Sequence, residues 1–172
     1  MITPLTTIAL LRADSPEISF VADCACRLRE MEGGDFGGVV FTPEIATLML
    51  RDVIAWKTGV VLVSSVQGET TGCIAVEFLP REKGGLIGGL VVTPGAPLKT
   101  AICLFSAAAE ICLSRGLPRV FLLAGTEKNR RRPTYRAIGF RDTGIRSGNS
   151  VLMATDTRGA CEGLRRRLKD RS

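Results

Sequence analysis

The chain is expected to fold as an α/β (α+β) domain, a mixed and mostly antiparallel sheet with helices on both faces. Three observations predict this. Three strand-like runs at 59–66, 71–79 and 86–92 follow one another with short turns between them, as an antiparallel meander does. A long apolar helix at about 98–115 then leads through Gly116 and Pro118 into the short, fully apolar run 120–124. Such a run has the composition of a buried parallel strand. Finally, 140–146 and 150–155 flank Ser147-Gly148-Asn149 as a closing hairpin. A meander followed by a strand-helix-strand unit calls for helices on both sides of one sheet.

The remaining elements fall in order around these. Residues 6–12 read as a first strand. Pro16 opens a helix over 17–31, with Phe20, Val21, Cys24 and Leu28 on one stripe. The stretch Glu32-Gly33-Gly34-Asp35-Phe36-Gly37-Gly38 reads as a connecting loop or a substrate lid. Thr42-Pro43-Glu44 opens a second helix with Thr42 as N-cap and Pro43 in the first position. That helix runs to about Trp56, with Ile45, Leu48, Met49, Asp52 and Trp56 at helical spacing. Gln67-Gly68-Glu69-Thr70 is a turn, and 80–85, ending in Lys83-Gly84-Gly85, is a hairpin loop rather than a phosphate loop. A short helix carries Tyr135 and stops at Gly139-Phe140. Residues 1–157 make one domain, and 158–172 a basic tail with helical potential.

Composition narrows the chemistry. The 172 residues are 45% hydrophobic and 23% charged, ordinary for a globular domain with a real core. No apolar run approaches the roughly 20 residues that span a bilayer, so no membrane partner is expected. The start lacks a basic n-region and an apolar h-region, which points to a cytoplasmic protein. The six cysteines contain no Cys-x-x-Cys pair and read as small core residues of a reducing compartment. There is no histidine. That excludes a Ser-His-Asp triad, a Cys-His pair and a histidine metal site. Acid-base work falls to carboxylates, tyrosine, cysteine, lysine or water. The net charge of +6 is uneven: residues 127–172 carry 13 Lys+Arg against 5 Asp+Glu. This basic quarter suits an anionic partner, which could be a phosphorylated cofactor, nucleic acid or an acidic protein; it also suits a plain solvated face.

Tyr135, the one tyrosine, lies in Thr134-Tyr135-Arg136-Ala137-Ile138-Gly139-Phe140. A lone phenol just beyond a buried strand can donate a proton to a leaving group, or simply pack one face of its ring. Leu90-Val91-Val92-Thr93-Pro94, the helix-glycine-strand run around Gly116-Leu117-Pro118-Arg119-Val120, and Tyr135-Arg136-Ala137-Ile138-Gly139-Phe140 occur in that order. Together they resemble the GNAT superfamily of acyl-CoA-dependent N-acyltransferases over roughly residues 3–155. The layout is nearest to short members encoded by bacteriophages.

The resemblance implies a GNAT-like β-α-α-β-β-β-α-β-α-β-β order. It implies acetyl-CoA as co-substrate, no metal, and an amine acceptor on a small molecule or protein. It places the pantetheine arm along Leu90, Val91 and Val92, between splayed fourth and fifth strands. It puts the pyrophosphate at the following helix N-terminus, around Leu98, Lys99, Thr100 and Ala101. Tyr135 would protonate the departing thiolate. Asn129, six residues before it, would hold the cofactor arm. Arg131, within Arg130-Arg131-Arg132, would reach the phosphates unless that run is an exposed turn.

The sequence departs from the family at the pyrophosphate loop. The family uses an arginine or glutamine, two residues, a glycine, one residue, then glycine or alanine. Here those positions are Pro97-Leu98-Lys99-Thr100-Ala101-Ile102, or the register starting at Ala96. Neither has the arginine or the first glycine. Lost charge-assisted bonds cost about 1.5–3 kcal/mol each, which weakens binding by roughly a hundredfold or more. The fourth strand also lacks the family's carboxylate base. Glu77 and Glu127 are the candidates, beside a water relay. Two other functions share this fold: a binding protein that holds nucleic acid or an acidic protein, and a phage-type nucleobase-modifying transferase. The final hairpin could pair across a homodimer.

Overall fold

The computed structural model describes residues 6–32, 42–97, 99–125, 132–148 and 150–170. The elements are β1 (Thr6–Leu10), α1 (Ile18–Glu32), α2 (Pro43–Ala55), β2 (Gly59–Val66), β3 (Glu69–Leu79), β4 (Gly84–Val92) and α3 (Thr100–Ser114). β5 (Arg119–Gly125), α4 (Arg132–Ile138), β6 (Arg141–Ser147), β7 (Ser150–Asp156) and α5 (Thr157–Lys169) complete the chain. Seven strands form one sheet in the order β1-β2-β3-β4-β5-β7-β6. All neighbours are antiparallel except β4 and β5, which are parallel.

Alternation along β2 and β3 sends side chains to two cores. Val61, Val63 and Cys73 face Ile18, Val21 and Cys24 of α1 and Leu11 at the end of β1, all buried in one cluster. Leu62, Ile74 and Val76 face the other way, onto Leu104, Ala108 and Cys112 of α3. Gln67 and Gly68 both have positive φ, 53° and 87°, as the two-residue β2–β3 turn requires. Thr42 caps α2 as expected, accepting a bond from the Ile45 N–H at 3.4 Å. Gly116, at φ 68°, ends α3, with its own N–H on Leu113 O and the Leu117 N–H on Cys112 O.

Two expectations change. Gly84 and Gly85 belong to β4, not to the preceding turn. A Cβ on Gly85 would lie 2.5 Å from Cys112 Sγ, and one on Gly84 would strike the Phe121 ring. Both are glycine because α3 and β5 press against the strand there. The stretch expected to be a tail is α5, packed into the core. Its Ala160, Cys161 and Leu164 are buried in the core that α3 shares, and Gly163 is buried against Ile138 of α4. Asp156 caps it on the Gly159 N–H at 2.7 Å, and Arg165 pairs with Glu110 at 2.6 Å. The inward stripe is made of small residues between arginines, so its pattern reads as polar in sequence. The buried Thr157 hydroxyl donates to Leu117 O at 2.5 Å and fixes the helix to the base of the sheet.

Candidate active site

β4 and β5 pair from Gly84↔Arg119 to Ile87↔Leu122 and then part. The cause is visible in β4. Its register against β3 moves from Ala75↔Gly88 to Cys73↔Val91, so one extra β4 residue faces Ile74. Gly89 takes φ 62° in this bulge. A bulge bends its strand and raises its twist, which swings the end of β4 away from β5. β5 stays paired with β7 as far as Gly125↔Ser150. The β4 edge that faces β5 therefore has no strand partner from Gly88 onward, and its backbone groups are open to a ligand. The walls are open as well. A Cβ on Gly88 would meet nothing within 4 Å, and one on Gly89 nothing closer than Ala75 at 3.8 Å. On β5, Leu123 is 48% exposed, an apolar side chain with no cover. The Cys73 thiol donates to Gly89 O at 3.8 Å and ties the bulge to β3.

Leu90 and Val92 turn their side chains to the α3 core and Val91 to the α1 core. It is the backbone of these three that borders the cleft. Thr93 closes the strand, its N–H and hydroxyl both donating to Thr71 O at 2.9 and 3.2 Å. Pro94 and Gly95, the latter at φ 85°, form a turn closed by the Ala96 N–H on Thr93 O. α3 then starts at Thr100, with Lys99 as a cap that makes no side-chain capping bond. No acidic residue lies in its first turn to offset the positive helix end. Lys99 and Ala101 flank this mouth, half-buried; Leu98 lies outside the described residues.

Thr100 departs from its expected role. Thr100, Leu104, Ala108 and Cys112 recur every fourth residue and are each 0% exposed. The Thr100 side chain thus belongs to the stripe facing the sheet. Its hydroxyl is buried and has no hydrogen-bond partner among the described residues.

Tyr135 is half-buried on α4. Its ring meets Phe105 of α3 edge-on at 6.2 Å and Phe140 at 6.4 Å, and Phe105 stacks on Phe140 at 5.9 Å. This aromatic cluster fixes the helix that follows β5 against the helix that follows β4. The ring is thereby held between α3 and the Gly139–Phe140 stop. Its hydroxyl makes no hydrogen bond to a described residue. Gly139, at φ 120°, stops α4, with the Phe140 N–H on Tyr135 O at 3.1 Å. Arg132 and Arg136 both bond Asp142 Oδ2 on β6, at 2.6 and 3.2 Å. The last arginine of the basic run is thus held by β6. Asn129, Arg131 and Glu127 lie outside the described residues.

Glu77 is exposed on the sheet face that carries α1, opposite Gly59 and Leu86. That is one strand away from β5 and two residues short of the split. The β4 edge and the β4–α3 turn are continuous in the chain, while Glu77 lies on β3 before the strands part and Tyr135 on the helix after β5. The glycine pair Gly88-Gly89 and the thiol of Cys73 are site features that sequence reasoning missed. Two glycines inside an apolar strand were the available signal.

A separate cavity of about 410 Å³ lies between α4 and α5, lined by Ala137, Gly163, Arg166, Arg167 and Asp170. It includes neither Tyr135 nor the β4 edge. Among the described residues, no cluster of three His, Cys, Asp or Glu side chains could hold a metal ion, and no helix is long and apolar enough to cross a membrane.

No protein-family model matches the sequence, and no curated protein matches it. Solved structures do match the fold. A PaiA N-acetyltransferase from Thermoplasma acidophilum, in complex with coenzyme A, is 14% identical with a TM-score of 0.70, covering 88% of this chain and 99% of that one. The spermidine N-acetyltransferase of Vibrio cholerae, with CoA and spermine, is 14% identical with a TM-score of 0.69, covering 90% and 97%. Apo FdhC, a nucleotide-linked sugar GNAT, is 10% identical with a TM-score of 0.68, covering 98% of both chains. These identities carry the architecture and not the chemistry. With its seven-stranded mixed sheet, parted central strands and flanking helices, this chain has the GNAT fold.

Proposed function

We propose that the chain is an acyl-CoA-dependent N-acyltransferase that moves an acetyl group to an amine by direct attack. The observation that carries this reading is the cleft made by the β4 bulge at Gly89, with a strand edge left unpaired from Gly88 on; Tyr135, held by Phe105 and Phe140, is the proton donor on the helix that follows β5. The fit with the cofactor is supported by the open space at Gly88 and Gly89 and by the exposed Leu123 wall. Both leave room for an extended arm against backbone. The CoA complexes of two proteins with this fold support it further.

Acetyl-CoA, when bound, supplies an activated thioester whose thiolate leaves. Backbone groups of Leu90, Val91 and Val92 hold the pantetheine arm as an added strand. Lys99 offers a point charge to the pyrophosphate at the α3 mouth, with the main chain at Ala101 beside it, and Leu98 is a further candidate. Thr100 contributes backbone there, its hydroxyl being turned to the sheet. Asn129 and Arg131 are the further candidates for the arm and the phosphates. Tyr135 gives its phenolic proton to the departing sulfur, and Glu77 takes a proton from the amine through water. Positioning and backbone polarisation supply the remainder of the rate.

A second reading is favoured by one observation. Arg166 and Arg167 line the α4–α5 cavity and make no ion pair among the described residues. With a pyrophosphate loop lacking the family's arginine and glycine, they suit a GNAT-fold binding protein for nucleic acid. One experiment separates the two. Thermal-shift titration with acetyl-CoA, with CoA and with a duplex oligonucleotide is run at two salt concentrations. It is followed by an acetyl-transfer assay on small amines, spermidine among them. A rise with acetyl-CoA and acetylated amine is the expected result. No rise with either CoA form, together with salt-dependent stabilisation by the duplex, overturns the transferase reading.

A further inference from the structure

We infer that the cavity between α4 and α5 is a binding site for a small phosphomonoester that carries an amine, separate from the acyl-transfer cleft. The site stands whether or not the chain transfers acyl groups.

The shape of the cavity follows from where the two helices touch. Gly163 of α5 meets Ile138 of α4 so closely that a Cβ at Gly163 would strike the Ile138 carbonyl. α4 has seven residues and ends at that contact, whereas α5 runs on from Gly163 to Lys169. Gly163, Arg166, Arg167 and Asp170 stand at i, i+3, i+4 and i+7, so they share one face of the helix. Among the described residues, that face and Ala137 of α4 line a space of about 410 Å³. Such a volume is that of a small-molecule site. Ala137 and Gly163 carry too little side chain to fill it. Ala137 is two positions from Tyr135, about 200° around α4, and Tyr135 packs on Phe105 instead. An occupant of the cavity therefore sits on the side of α4 away from the phenol.

The charged groups of the cavity are unpaired among the described residues. Arg166 and Asp170 are exposed and Arg167 is half-buried. The two arginines lie four and three residues before Asp170, the spacing at which ion pairs form on a helix. Yet neither pairs with it or with any other described carboxylate, whereas the neighbouring Arg165 pairs with Glu110 at 2.6 Å. Two guanidinium forks and one carboxylate thus face the same space.

That set selects the ligand. Two forks offer more donors than the two oxygens of a carboxylate can take, and a phosphate presents three oxygens. A phosphomonoester carries a charge of about −1.5 to −2 near neutral pH, which balances two guanidiniums. Asp170 then calls for a cation, and it lies roughly 6 Å along the axis from Arg166. An ammonium group on the same small molecule meets it. A nucleic-acid backbone matches these groups less well. Each of its phosphates carries one charge, it brings no ammonium, and Asp170 repels it.

The test is calorimetric titration of the full chain at fixed ionic strength. The probes are O-phosphoethanolamine, glycerol 3-phosphate, ethanolamine and a DNA duplex. O-Phosphoethanolamine is expected to bind with a Kd below about 1 mM, more tightly than glycerol 3-phosphate, and ethanolamine alone not at all. Arg166→Gln and Arg167→Gln should each weaken it about tenfold or more, with thermal unfolding showing both variants folded. Asp170→Asn should abolish the preference over glycerol 3-phosphate. Affinity should fall as pH drops through about 6, where the phosphate takes up its second proton. Absence of O-phosphoethanolamine binding overturns the inference, and so does binding that survives the Arg166→Gln, Arg167→Gln double variant. Tighter binding of the duplex, lost in that variant, overturns it in favour of nucleic acid. The titration is repeated with saturating acetyl-CoA. Unchanged affinity is expected; displacement places the phosphate at the α3 mouth and overturns the separate site. A chain that ignores acetyl-CoA sinks the proposed function instead, while the arginine variants still decide the cavity.

Discussion

Thr100→Val tests the most specific structural statement about the site, that the hydroxyl at the start of α3 faces the sheet without a partner among the described residues. The substitution exchanges a hydroxyl for a methyl group of nearly the same shape. Thr and Val have similar helix propensities, so the backbone is nearly indifferent. A buried polar group without a hydrogen bond costs about 1–3 kcal/mol in mutational data. Removing it returns part of that cost, and the new methyl group gains burial of the order of 1 kcal/mol. Valine should therefore stabilise the fold by about 1 kcal/mol or more, a rise in Tm of about 2–4 °C for a chain of this size. Denaturant unfolding gives the free energy, and calorimetric titration gives acetyl-CoA affinity. Affinity should stay within about twofold, because the hydroxyl points away from the helix mouth. Destabilisation by more than about 0.5 kcal/mol would mean the hydroxyl has a partner. Affinity lowered about tenfold or more at unchanged stability would mean that it serves the ligand after all.

Tyr135→Phe should lower turnover by about 10²–10⁴-fold with acetyl-CoA affinity and Tm nearly unchanged, since the ring contacts to Phe105 and Phe140 survive. Equal loss of turnover and affinity would argue for a binding role. Tyr135→Ala adds the loss of those contacts, about 2–3 kcal/mol for a half-buried ring, visible as a lower urea midpoint. Gly163→Ala places a methyl group against Ile138 O, which is backbone and cannot turn away. It should cost about 1–3 kcal/mol, and a neutral result would mean that α5 and α4 do not touch as described. Cys112 and Cys161 are raised to about 11 from an ordinary value near 9. Between those values the unfolded chain loses protons that the folded one keeps, so stability falls as pH rises from about 9 to 11. The Cys112→Ala, Cys161→Ala double variant should show a shallower fall in urea midpoint over that window; an identical slope refutes the cause.

Much of the fold was legible because its elements announce themselves locally. The meander alternates, Thr42-Pro43 caps a helix, Gly116 and Gly139 stop two others, and the run around Val120 is apolar without a break. What failed was the register of meaning at short range. Gly84-Gly85 looked like a turn because glycine usually marks one. Its cause is the close approach of Phe121 and Cys112, which are distant in sequence. The helix α5 looked like a tail because a face of Ala, Gly and Cys buries well only against a neighbour that sequence does not display.

The sequence by itself determined the sheet-and-helix order, the absence of histidine chemistry and the lone phenol of Tyr135. These follow from composition and from periodicities a few residues long. Only the tertiary structure decided where β4 and β5 part, because a one-residue bulge is a relation between strands, measured against Ile74 of β3. It alone turned Thr100 to the sheet, gave Arg132 to Asp142, and set the Cys73 thiol on Gly89 O. Each is a contact between residues far apart in the chain, fixed by packing rather than by any local preference.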